Sequence, residues 1–348
     1  LSAGQSYSIN LDGSAGALLQ ASGTLTVSVS DFFRVTGSFA LRRSAASITL
    51  ADGTTTDVSL LTLGIDGGSA FVGLNGGTDS AAGLTITSAD AAIALASDLA
   101  DPTKRWTALE ASLDGISVTG LADISIAANN LSVEINRASA SQPVIDWAAT
   151  PLVVATGPSS SVTLNMNGAD GTLLRASGSL SLTAGGFFSV TGDLGIERKT
   201  DTVKIGTSPD DVVVDLLTIG AASLSAFVGV NGGSPNAAGL ALTGVEFGLA
   251  IASRRSDRSK KYSALKASAT AAAVTGIPGL TLTSQNLSVL VNQPDASGTV
   301  MNLAADPLQV LSGPGRSVTL DFASSAGPLL EASGTMNVSV ESFFTLAG

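Results

Sequence analysis

A stretch of twenty residues occurs three times in this chain. Leu18–Gly37 reads LLQASGTLTVSVSDFFRVTG, Leu173–Gly192 reads LLRASGSLSLTAGGFFSVTG and Leu329–Gly348 reads LLEASGTMNVSVESFFTLAG. Other segments keep the same step of 155 or 156 residues: AFVGLNGG at Ala70–Gly77 returns as AFVGVNGG at Ala226–Gly233, and WTALEAS at Trp106–Ser112 returns as YSALKAS at Tyr262–Ser268. The chain is a tandem array, and a period of this size points to an extended assembly of one repeated unit. The units are placed at residues 1–156, 157–312 and 313–348, the last being the opening of a third repeat. Because Gly348 falls where Gly192 sits inside a patterned strand, a window cut from a longer polypeptide is expected.

Hydrophobic residues make up 44% of the 348, but aromatics only 4% and charged residues only 13%. Core volume must therefore come from Leu, Val, Ile and Ala, which suits closely packed β-layers. A mean hydropathy of +0.39 reads either as the Ala and Gly of a small-residue sheet protein inflating the scale or as apolar surface that meets a neighbouring copy or lines a lumen. The net charge is −11; without a basic stripe to neutralise phosphates, nucleic acid is excluded as a partner. There is no cysteine and no histidine, which removes Ser-His-Asp and Cys-His nucleophiles and thiolate–imidazole metal sites. No signal peptide or apolar helix of spanning length is present.

Strict alternation dominates. From Leu174 to Ile196 every even position is apolar or glycine, while the odd positions are mostly polar. That run is either one very long strand bent at its glycines or two or three strands joined without loss of phase. Elsewhere the phase flips: Leu84 and Ile86 give way to Ala89 and Ala91, Leu240 and Leu242 to Val245 and Phe247, and Leu280 and Leu282 to Leu287 and Val289. Such a flip needs a β-bulge or a corner between sheets. No sustained 3.6-residue stripe occurs, so helix is expected to be nearly absent. Turn-rich punctuation separates six to eight strand runs per unit, with longer charged loops placed at Glu197–Asp211 and Ser253–Lys261. The expected fold is all-β, an elongated tandem-repeat rod of long, mostly antiparallel amphipathic strands, with a β-solenoid as the alternative.

The acids drift between units. Glu110 becomes Lys266, Glu134 becomes Leu290 and Asp31 becomes Gly186, whereas only Asp90/Glu246 and Asp101/Asp257 keep the charge. Packing constraints behave in that way and carboxylate catalysis does not, so the chain is read as a non-enzyme with no catalytic or cofactor-binding residue. Calcium is considered at Asn165-x-Asn167-Gly-x-Asp170-Gly and its counterpart Asn10-x-Asp12-Gly-x-Ala15-Gly. Neither has the distal bidentate Glu of a calcium loop, and an Asx-supported turn accounts for both, so no metal ligand is assigned. The loops Asp101–Trp106 and Asp257–Tyr262 are read as solvated turns with cations against the ring. Phe33, Phe188 and Phe344 share the phase of their apolar neighbours and are expected in the core; Phe32, Phe187 and Phe343 point the other way.

The recurring ASGxLxL…FFxVxG, the AFVGVNGG step and the GLTLTxxNLSVxVN run at Gly279–Asn292 resemble the repeats of very large secreted bacterial surface and adhesin-like proteins. The resemblance implies an extracellular or cell-surface location and a structural or adhesive role as a fibre or stalk. Its partners would be neighbouring repeats and other copies of the same protein. The rival function is a hydrophobic-ligand or lipid conduit formed by a long apolar groove. A conduit would show a lined trough running through successive repeats; a fibre would show a filled core.

Overall fold

The computed structural model describes Gly13 and residues 17–121, 123–139 and 142–348. The first unit opens with six long strands, β1 (Leu19–Val29), β2 (Phe33–Thr49), β3 (Thr55–Leu74), β4 (Ala82–Asp98), β5 (Arg105–Thr119) and β6 (Ile124–Ala138). A short hairpin, β7 (Leu152–Ala155) and β8 (Ser161–Leu164), closes this structural repeat, with the 156/157 boundary falling in its turn. The second unit repeats the plan with β9 (Leu173–Ala184), β10 (Phe188–Lys204), β11 (Asp211–Val230), β12 (Ala238–Arg254), β13 (Lys261–Thr275), β14 (Leu280–Gln293) and the hairpin β15 (Leu308–Gly313) and β16 (Arg316–Leu320). Two further strands, β17 (Leu329–Val340) and β18 (Phe344–Ala347), open the third. Helix among the described residues is confined to single 3-10 turns such as Gly168–Asp170.

The long strands form one open, all-antiparallel sheet of 14 strands in the order β1 to β6, β9 to β14, β17, β18. The repeat junctions are ordinary strand pairs: β6 pairs with β9 through Ile126↔Leu182 and Ile135↔Leu174, and β14 with β17 through Leu282↔Val338 and Val291↔Leu330. This is the elongated antiparallel array the alternation predicts. Antiparallel pairing throughout rules out a solenoid coil, whose stacked turns pair in parallel. The run from Leu174 to Ile196 is two strands. Gly185 and Gly186 adopt positive φ in the turn between them, and Phe188 pairs with Ala184, so the alternation passes through the turn in phase. The charged stretch from Glu197 continues β10 as far as Lys204, which shortens the expected loop to the residues before Asp211.

Each phase flip in the sequence coincides with a bulge. Register shifts lie at Gly68/Ala70 opposite Ile86 and Ala89, at Leu224/Ala226 opposite Leu242 and Val245, and between Gln285 and Ser288, with further shifts at Ile65/Gly68, Ala221/Leu224 and Asn129/Ser132. Left-handed backbone sits at equivalent places in both units: Gly67 and Ser223, Ser88 and Gly244, Asn130 and Asn286. An inserted residue turns the following side chains to the other face, so the flip in sequence and the bulge in backbone cancel. The apolar residues stay on one side of the sheet along the whole strand.

The two hairpins lie on one face and cover only one end of the strands. Under the first, Ile145, Trp147, Val154, Leu164 and Met166 close over Val58, Leu60, Ala92, Ala94, Ala96 and Trp106. Under the second, Met301, Leu303, Val310, Leu320 and Phe322 close over Val214, Leu216, Ala250, Ala252 and Tyr262. Trp147 becomes Leu303 while Met166 becomes Phe322, so lost volume at one position returns at another, as a close-packed core tolerates. The covering segment is tied down by a buried asparagine in each unit. Asn136 Nδ2 donates to Ile145 O at 2.8 Å, and Asn292 Nδ2 donates to Met301 O at 2.9 Å. Replacing Asn292 with alanine strands a buried carbonyl and is expected to cost about 1–3 kcal/mol. Chemical denaturation followed by tyrosine emission from Tyr262 would measure it.

Candidate interaction surface

The face opposite the hairpins is the notable surface, and strand register identifies it. β2 alternates against β1 without a shift, so Phe33, Val35, Phe39 and Leu41 share a side and Ala40 takes the other. Ala40 pairs with Gly64, where an added Cβ would overlap the backbone of Ala155 in the first hairpin. The hairpin therefore lies on the Ala40 side, and Phe33 to Leu41 face away from it. The second unit repeats this geometry. A Cβ at Gly195 would overlap Leu311 of the second hairpin, so Phe188, Val190, Leu194 and Ile196 face away from it.

Across the strands these residues form continuous rows. One passes from Phe33 through Val72, Leu84 and Val118 to Ile126, then crosses the junction to Leu182 and Val190. A second passes from Leu63 through Ile93 and Leu109 to Ile135 and Leu174. Its counterpart links Ile219, Leu249, Leu265, Val291 and Leu330 across the next junction. Nothing among the described residues covers them: Val72 is 51% exposed, Leu84 38% and Leu174 42%. With strands about 4.8 Å apart and about 3.3 Å per residue, the apolar face measures roughly 60 Å by 35 Å. Single apolar patches on monomeric proteins usually reach only about 300–600 Å². At the first junction the face dips into a cavity of about 310 Å³ lined by Leu131, Val133, Leu180, Leu194, Ile196 and Ile219.

The expected placement of the phenylalanines is overturned here. Phe33 is 37% exposed, Phe188 36% and Phe344 51%, and all three lie at the uncovered face rather than in a core. They do share the phase of their apolar neighbours, but the hairpins pack on the other phase. Phe32, Phe187 and Phe343 occupy the turns and are more exposed still.

The remaining candidate residues resolve into structure. Asn167 Oδ1 accepts from the Ala169 N–H at 2.9 Å, forming the Asx turn, and Asp170 pairs with Arg175; the counterpart Asn10–Gly16 lies outside the described residues apart from Gly13. Asp101 and Asp257 each accept from the hydroxyl and N–H two residues on, Thr103 and Ser259. Asp90 accepts from the Gly67 N–H in the bulge, and Glu246 is exposed on β12. Trp106 is buried, with Nε1 donating to Pro143 O, and Tyr262 is buried and donates to Asp295. Among the described residues no group of three acids could hold a metal ion, and no helix is long and apolar enough to cross a membrane.

Hydrogen bonds hold several carboxyls below the usual range. The Thr56 hydroxyl does so for Asp98, Thr103 for Asp101, Ser259 for Asp257 and Ser297 for Asp295. A folded chain with such groups binds fewer protons than the unfolded one. Their contribution is full above the unfolded value, near 3.9, and is lost as pH falls through the folded values. Glu110 is shifted the other way, first by burial and then by Glu134 directly opposite on β6. Its contribution declines as pH rises through the carboxylate range. Thermal melts should therefore fall steeply below about pH 4, and Glu110→Gln should raise the neutral-pH melt by less than about 1 kcal/mol equivalent after solvent screening.

No protein-family model, curated protein sequence or solved structure matches the chain.

Proposed function

We propose that the chain is a segment of an extracellular or cell-surface fibre or stalk, in which repeats supply length and stiffness. The observation that carries this reading is the strand ladder running through both junctions with no linker between units. Independent beads would need polar connections and would move relative to one another. The resemblance of the repeats to those of giant bacterial surface proteins supports the location. Small-angle scattering on the full chain tests it: a single stiff particle is expected, and the profile of two units moving independently would end the proposal.

A second reading is favoured by one specific feature, the uncovered apolar face that passes through successive junctions. A filled rod has no use for it, whereas a conduit for hydrophobic ligands or lipid needs such a trough. The two readings are compatible, since a stiff sheet is also a track.

A further inference from the structure

We propose that the uncovered face binds lipids with anionic headgroups, the acyl tails lying along the strands and across the apolar rows, with the heads at a basic belt on one margin. The inference rests on the conduit reading and adds the ligand class and its orientation.

The belt follows from where the cations are. Of the 17 Lys and Arg residues, only Arg34 lies in the half of the sheet between the bulges and the Phe turns. The others are at the hairpin end, and several belong to the apolar face. Arg43 and Arg198 continue the Leu41 and Ile196 phase of β2 and β10, and Arg137 continues the Ile135 phase of β6. Arg105 and Lys261 begin β5 and β13 opposite Ser97 and Ser253. All five are exposed and none forms an ion pair among the described residues. Arg255 and Arg258 share Asp215 beside them. The opposite margin is acidic, with Asp31, Asp79, Asp123 and Glu341 in or beside the Phe turns.

An amphiphile that matches this field carries negative charge at one end only. Between belt and turns lie about ten residues of apolar strand, roughly 33 Å, enough to take a tail at full length. Cations near an anionic lipid surface add their attractions, so several in line select headgroup charge. A second copy packed face to face is the competing occupant, and the experiment separates the two.

The test uses the full chain and fluorescent phosphatidylglycerol or phosphatidylcholine offered from vesicles of the same unlabelled lipid, with native mass spectrometry on the products. The parent chain should bind phosphatidylglycerol about tenfold or more tightly at low salt, and salt should erode the preference. Arg43→Ser, Arg137→Ser and Arg198→Ser combined should abolish the preference and keep the weaker binding. Val72→Asp with Val228→Asp, both at exposed positions, should abolish binding of both lipids while circular dichroism stays unchanged. Equal binding of the two lipids by the parent would overturn the anionic assignment and leave the conduit reading standing. Binding of neither would overturn both. A lipid-free dimer dispersed by Val72→Asp with Val228→Asp would identify a second copy as the occupant.

Discussion

Replacing Gly64 with valine is expected to lift the first hairpin off the sheet and to cost about 3 kcal/mol or more, because the site has no slack. A Cβ at Gly64 would overlap the Ala155 carbonyl and the Thr156 Cα. The clash is with backbone, so no rotamer relieves it. The hairpin must move, and Val154 and Leu164 move with it away from Val58, Leu60 and Trp106. The second unit uses the same device at Gly220, against Leu311. Both tryptophans of the chain, Trp106 and Trp147, belong to the first core. A red-shifted, early fluorescence transition should therefore report loss of that unit, while a later transition seen by circular dichroism reports the second. Leu63→Val, next in sequence but on the uncovered face, should cost less than about 1.5 kcal/mol. Similar costs at the two positions would mean the hairpin does not seat as described.

The second large effect is a contrast between aromatics. Trp106 is 2% exposed, fills the first core and donates its indole N–H to Pro143 O at 2.9 Å. Its truncation to alanine should cost about 3–5 kcal/mol, with the unpaired carbonyl adding to the cavity. Phe188, at 36% exposure on the open face, should cost about 1–2 kcal/mol, as expected for a group that gives up only part of its contact area. Urea denaturation of the two variants measures both. A loss at Phe188 as large as that at Trp106 would show that the open face is buried in solution by some partner or ligand.

The sequence made the repeat, the all-β class and the bulges legible for one reason. A period-two pattern is a direct record of which side chains share a face, and a break in it has few backbone solutions. The identity of the covered face was not legible. The hairpins approach so closely that the strands beneath them carry Gly64, Gly195, Gly220 and the alanines Ala92, Ala94 and Ala96. A hydropathy pattern ranks those positions below the Leu, Val and Phe of the opposite face, so it pointed to the wrong side. The hairpins themselves have strands of four to six residues and read as turn-rich punctuation. One signal for the covered face is present in the sequence. Asn136 and Asn292 are amides kept at the same place in both units while Glu134 two residues before becomes Leu290, and an asparagine held within a strand needs a specific partner. The basic belt is hidden because its members are scattered along the chain, and only the register of β2, β5, β6, β10 and β13 gathers them.

Because β9 and β17, which open the second and third repeats, are hydrogen-bonded to the last long strand of the repeat before, β6 and β14, the array grows perpendicular to its strands. Each unit contributes six of them, an advance of about 29 Å at about 4.8 Å per strand. Reach is then proportional to the number of gene-encoded units, and duplication or loss of one unit changes the span by a fixed increment without creating a new interface. The same geometry sets the response to pulling. Tension along the growth axis loads the interstrand hydrogen bonds along their own direction, so neighbouring strands peel apart row by row instead of shearing together. The hairpins span several strands at once: β15 lies against β10, β11 and β12. They act as cross-braces, which leaves the uncovered half of each unit as the place where a stretched array opens first.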